Sequence, residues 1–204
     1  MDMEFKTYTD KWHPDIADFR DSVCRESGAA DSREFLTHRQ TMEKYDGNEH
    51  AEEIYKFSQE KWNKTEFDSI EAMLYRGKIV SISGCRSHDH SLRILMHRHT
   101  LHDFRQSTNR HVWQAGGFIE RHLNDAVARG KSALFFTIYE HNITLKTLAA
   151  YFRKMKRNAH KPLLHKFQEL NTDMLFNGVP QSIFYYLIDE QYCFTEKDLM
   201  HARN

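Results

Sequence analysis

The residues in this chain with the clearest chemical potential are histidines and a run of cations. His88-Asp-His90 and His97-Arg-His99-Thr-Leu-His102 repeat imidazoles at a spacing of two, which on a strand turns both rings to one face. Such a pair could ligate a divalent metal. No carboxylate stands at a diagnostic spacing from either group, and 14 histidines in 204 residues bring close pairs together by chance, so a metal-dependent enzyme is the weaker reading. Lys146, Arg153, Lys154, Lys156, Arg157, Lys161 and Lys166 could contact nucleic-acid phosphates or a phosphorylated cofactor. That run carries no recognition motif and little aromatic interleaving beyond Tyr151 and Phe152, so a solvated helix face is favoured and nucleic acid is the less favoured partner.

The elements that would position these groups change period along the chain. Up to about residue 70 the pattern is helical: Pro14 suits a first turn, with Ile16, Phe19 and Val23 following. Asp31 with Glu34 resembles a capping box, and Ile54, Tyr55, Ser58 and Trp62 share one side of a third candidate helix. Trp12 and Trp62 read as core residues, and a short strand is weakly signalled near Phe5–Tyr8. From residue 71 strands appear: EAMLYRGKIVSISGCR reads as two joined at Arg76-Gly77, and SLRILMHRHTL as a third. Phe118, Ile119, His122, Leu123, Ala126 and Val127 mark an amphipathic helix, with Gly130 where a left-handed cap is expected. SALFFTIY reads as a strand buried on both faces. Leu145, Leu148, Ala149, Phe152 and Met155 mark another helix, and strands near Lys166–Phe176 and Ser182–Ile188 close the chain. The order predicts a mixed α/β domain in which a helix connects neighbouring parallel strands.

Composition sets the frame. With 40% hydrophobic residues, 28% charged, 8 Gly and 3 Pro, the chain reads as globular, one domain over 1–204. Its expected parts are a mostly helical 1–70, a strand/helix core over 71–188 and a tail over 189–204. No apolar run is long enough to span a bilayer, and the opening MDMEFKTYTDKWHPD lacks an export-signal pattern, so a cytoplasmic protein without membrane contact is expected. Three scattered cysteines read as ordinary thiols. Net charge is zero but divided: residues 1–72 carry 18 acidic and 10 basic side chains, and residues 73–168 carry 5 and 17. The basic stretch suits an anionic ligand or the acidic first part of the chain itself.

The element order and four segments resemble the GNAT superfamily of acyl-coenzyme A N-acyltransferases. MLYRGKIVSISGCR is similar to the family's first strand pair, and GFIERHLNDAVARGKSALFFTIYEHN to its signature helix–strand unit. LKTLAAYFRKM is similar to the helix that follows, and FNGVPQSIFYYLI to the closing strand. The resemblance implies a central sheet splayed open to hold an acyl-coenzyme A, here with an enlarged helical N-terminal segment. It also implies an arginine- or glutamine-led glycine loop whose backbone N–H groups wrap a pyrophosphate. The favoured register is Arg110-His-Val-Trp113-Gln-Ala115, with Trp113 in a glycine position and Val112, Trp113, Gln114, Ala115 and the adjoining Gly116 as backbone donors; a second register uses Gln114-Ala-Gly-Gly117, with Ile119 in the final small position.

By the same resemblance Asn142 lines the cleft, with helix N-cap as its competing role. Tyr151 is the nearest counterpart of the family's general acid, with core packing as its alternative. Removal of the amine proton needs a base of near-neutral pKa, and His97, His99, His102 and Glu140 end the strands beside the expected cleft. The implied function is transfer of an acetyl or other acyl group from acyl-coenzyme A to a small-molecule or protein amine. Its alternative is a GNAT-like fold without catalysis, serving as a binding module, in which Trp113 plugs a vestigial cleft. Apolar closing strands suggest pairing between subunits as a homodimer.

Overall fold

A computed structural model of the chain describes residues 3–26, 52, 63–99, 115–138, 153, 162–176, 179–195 and 198. The elements are β1 (Met3–Tyr8), α1 (Pro14–Glu26), β2 (Ser69–Tyr75), β3 (Lys78–Ser87), β4 (Ser91–His99), α2 (Phe118–Ala128), β5 (Ala133–Ile138), α3 (Pro162–Lys166), β6 (Gln168–Phe176) and β7 (Val179–Leu187). Seven strands form one sheet in the order β1-β2-β3-β4-β5-β7-β6. β4 and β5 run parallel, while β1/β2, β5/β7 and β6/β7 run antiparallel. The two- and three-residue links flanking β3 leave no room for a parallel return, so it too is antiparallel to both neighbours. No helix among the described residues is long and apolar enough to cross a membrane.

The chain divides into two compact units, one of residues 1–82 and 98–105, the other of 83–97 and 106–204. In the first, β1 pairs with β2 from Met3↔Tyr75 to Tyr8↔Ile70. β2 is buried from Ser69 to Leu74, whereas β1, at the sheet edge, exposes Glu4 and Lys6. The expected β2–β3 turn is present, with Arg76 at φ 52° and Gly77 at φ 75°; positive values at both positions match the twist of a hairpin. α1 starts at Pro14, and His13 caps it by accepting the Asp15 N–H on Nδ1 at 3.2 Å and the Ile16 N–H on its carbonyl at 2.9 Å. Ile16 and Phe19 are buried as their spacing predicts. Trp12 is not a core residue: it is 55% exposed. It sits in the turn before the helix, where its N–H donates to Asp10 Oδ1 at 2.9 Å and the Lys11 ammonium lies 5.2 Å from the ring centroid. The capping box at Asp31 and the stripe through Trp62 fall outside the described residues.

In the second unit β5 pairs with β4 over Ala133–Phe136 and with β7 over Ala133–Ile138, and it is buried from Ala133 to Thr137. On one face Phe136 stacks on Phe184 with centroids 5.3 Å apart, and Phe167 closes the cluster. On the other, Phe135 and Ile183 pack with Leu170, Tyr185 and Phe194. Phe194 lies in the stretch expected to be a tail, yet its ring stacks on Tyr185 at 4.9 Å.

α2 buries Phe118, Ile119, His122 and Ala126, while Val127, counted in the apolar stripe, is exposed. The expected cap is present: Gly130 has φ 65° and donates its N–H to the Val127 carbonyl at 3.0 Å. The closing strands differ at their starts. Residues 162–166 form the short helix α3, so β6 begins at Gln168 rather than Lys166, and β7 begins at Val179 rather than Ser182. Pro180 is accommodated opposite Leu175, past an irregularity in the β6/β7 register where a missing N–H is tolerated.

Candidate functional site

The feature that could admit a ligand is the end of the parallel ladder. β4 and β5 pair from Ser91↔Ala133 to Ile94↔Phe136, while β4 continues as strand to His99. β5 goes on pairing through Thr137 and Ile138, but with β7, not β4. Past the fourth rung the two parallel strands therefore no longer share hydrogen bonds. Carboxyl ends of parallel strands are where open α/β sheets place ligands, since the backbone there fans apart and loops converge.

Two residues mark that end. Arg93, on the third rung opposite Phe135, holds its guanidinium 5.8 Å from the Phe135 ring centroid and donates from Nη2 to Thr137 Oγ1 at 3.0 Å. Thr137 lies one residue past the last paired position and is 3% exposed.

The crossover from β4 to β5 carries α2, whose start is glycine-built. Gly117 is the N-cap and makes no side-chain cap; Gly116 has φ 72°, with nothing within 4 Å of where a Cβ would stand. A backbone this bare allows close approach of a ligand to its amides. The Gly116 N–H donates to Glu120 Oε2 at 2.6 Å, so a carboxylate of the first helical turn already occupies one of these donors. This fits an anion such as a cofactor phosphate: the segment binds negative charge in the structure itself, and an incoming anion would have to take the place of Glu120.

Of the sequence-predicted site, Ala115 and Gly116 are described, both exposed, and His99 ends β4 without a described side chain. Arg110, Val112, Trp113, Gln114, Asn142, Tyr151 and His102 lie outside the described residues. His88 and His90 have separate surroundings, the first packing against Phe135 at 6.1 Å and the second against Tyr192 at 5.9 Å. Among the described residues no three metal-ligating side chains converge. Arg93 and Glu120 escaped the sequence reading. A charged residue at an alternating strand position and a glutamate in a first turn carry no motif, and only the ladder register and the helix start give them meaning.

Strand order, the parallel β4/β5 pair and the helix on its crossover define a mixed α/β fold, in the arrangement that the sequence resemblance implies. No protein-family model matches the chain, and no curated protein does. Among solved structures it is similar to an acetyltransferase of the GNAT family from Streptococcus pneumoniae, with 14% identity, 92% of this chain and 99% of that one covered, and a TM-score of 0.49. It is similar also to the ribosomal-protein-S18-alanine N-acetyltransferase from Escherichia coli, with 12% identity, coverage of 94% and 100%, and a TM-score of 0.49. A putative acetyltransferase from Salmonella typhimurium, solved with its cofactor acetyl-CoA, matches at 11% identity, with coverage of 94% and 96% and a TM-score of 0.46.

Proposed function

We propose that the chain transfers an acyl group from an acyl-coenzyme A thioester to an amine. The observation that carries this reading is the parallel ladder ending at Ile94↔Phe136, with a glycine-started helix on the crossover between its strands. An extended thioester arm would enter between β4 and β5, and its phosphates would meet the amides ahead of α2. A helix starting at Phe118 with Gly117 as its N-cap supports the register Gln114-Ala-Gly-Gly117; Arg110 through Ala115 is the competing register.

In this reading the amine nitrogen attacks the thioester carbonyl carbon. A C–N bond forms, the C–S bond breaks, and the thiolate leaves. The chain's own groups move two protons: His99 or His102 takes one from the amine, and Tyr151 delivers one to the thiolate. Asn142 lines the thioester arm.

The test is calorimetric titration with acetyl-coenzyme A and with free coenzyme A. Micromolar binding, weakened by Arg110→Ala or by a bulky replacement at Gly117, is the expected result and would justify an amine screen. No heat up to millimolar ligand would overturn the acyltransferase reading and leave a binding module with this fold.

A further inference from the structure

We propose that His13 is a pH-operated latch at the start of α1: on taking a second ring proton it releases the Asp15 amide and pairs with the Asp15 carboxylate. The inference is independent of the acyltransferase reading and lies wholly within the first compact unit. His13 Nδ1 accepts the Asp15 N–H at 3.2 Å, so that nitrogen carries a lone pair and the proton of the neutral ring sits on Nε2. The same Nδ1 lies 3.7 Å from Asp15 Oδ2. One residue thus offers His13 a donor for its neutral form and an anion for its charged form.

The groups around the ring favour this exchange. From β1, the Tyr8 hydroxyl donates to Asp15 Oδ2 at 2.6 Å and the Lys6 ammonium at 3.3 Å. The Tyr8 hydrogen bond holds the Asp15 carboxyl below its ordinary range; burial opposes it and Lys6 adds to it, so the carboxylate keeps its charge in mild acid. Tyr8 also meets the His13 ring edge-on, with centroids 4.8 Å apart. From the turn before the helix, the Asp10 carbonyl accepts the His13 N–H at 3.2 Å, while the Asp10 carboxylate takes the Trp12 N–H at 2.9 Å. Lys11 directs its ammonium to the carbonyls of Asn63 and Thr65.

A protonated Nδ1 cannot accept a hydrogen bond, and a positive ring beside the first helical amides opposes the helix dipole. Both effects turn the imidazolium away from its capping position, and a small ring rotation brings it onto Asp15 Oδ2. That oxygen already receives two donors, so the longer and more exposed contact, from Lys6, gives way. In acid α1 therefore loses a cap and part of its tie to β1 together.

The test is NMR of the full chain between about pH 8 and 5, following the His13 ring nitrogens and the Asp15 amide. Two variants accompany it: His13→Asn, which caps without titrating, and Asp15→Asn, which keeps the amide but removes the charge. At the alkaline end the ring proton should sit on Nε2. On acidification the Asp15 amide should lose about fivefold in exchange protection, corrected for the intrinsic rate, in step with the ring's own titration. In His13→Asn the protection should hold across the range. In Asp15→Asn the ring should bind its second proton about twofold more weakly, as loss of an exposed ion pair warrants. A neutral ring protonated on Nδ1 would overturn the proposal, as would amide protection that ignores the titration. Persistence of the pH dependence in His13→Asn would assign it to another group and refute the latch. Unchanged proton affinity in Asp15→Asn would refute the exchange of partners.

Discussion

Ser83 Oγ and His122 Nε2 lie 2.8 Å apart, joining β3 to α2 through a hydrogen bond between two buried side chains. The other ring nitrogen of His122 has no hydrogen-bond partner among the described residues. Burial is the main reason the imidazole is pushed down to about 4 from an ordinary 6.5; Arg121 pushes the same way, and Asp125 opposes them. The folded chain therefore holds His122 neutral, whereas the unfolded chain binds a proton near pH 6.5.

The stability contributed by His122 is then complete above about pH 6.5 and is lost as the pH falls toward 4, by up to about 3 kcal/mol. Urea unfolding at pH 7.5, 6.0 and 5.0 checks this. The wild-type midpoint should fall more steeply with acid than that of His122→Gln, which titrates nothing at this position. Ser83→Ala should cost about 1–2 kcal/mol at neutral pH by leaving a buried ring nitrogen without its partner. Equal pH slopes for wild type and His122→Gln would contradict the assignment.

Glu120 and an anionic cofactor would compete for the Gly116 amide. Glu120→Gln should therefore tighten coenzyme A binding several-fold, and more so at low salt, where charge is least screened. Helix stability should drop by only about 0.5 kcal/mol through the lost charge–dipole term. Titration calorimetry at two ionic strengths reads both the sign and its salt dependence.

Arg76 occupies the left-handed region, with its guanidinium 5.1 Å from the Tyr75 ring centroid. Asparagine tolerates that backbone better. Arg76→Asn should raise stability by about 0.5 kcal/mol, the cation–π contact offsetting part of the gain. A thermal melt showing a lower midpoint would mean that the ring contact outweighs the backbone strain.

Phe194 anchors the segment after β7 against Phe135 and Tyr185. Phe194→Ala should cost about 2–3 kcal/mol and open residues 189–198 to limited proteolysis under conditions where the wild type resists.

The sequence made the second half of the fold legible because its elements carry strong periods and clear punctuation. The Arg76-Gly77 turn, the buried β5 and the cap at Gly130 all stand where local signals put them. Strand starts were less legible. Pro180 reads as a break, yet pairing to Leu175 next to an irregularity absorbs it, which only the register reveals. Trp12 misled for a related reason, since proximity to a helix stripe says nothing about the turn that holds the ring outward. The glycines ahead of α2 were legible as a loop, whereas the contacts of Glu120 with the Gly116 amide and of Arg93 with Thr137 depend on three-dimensional neighbours.

The four-rung β4/β5 ladder has a consequence for how the chain reaches this structure. The β2/β3 hairpin closes over two residues, whereas β4 and β5 meet only after the chain has run from residue 95 to 132, and β1 meets β2 only after residues 9–68. Closing long loops is entropically slower than zipping adjacent strands. The hairpins should form early and the parallel rungs late, so the opening at Ile94 and Phe136 is assembled near the end of folding. Until then β5 has an edge without its partner, and the nascent chain is most exposed to mispairing at the very strand that later borders the opening.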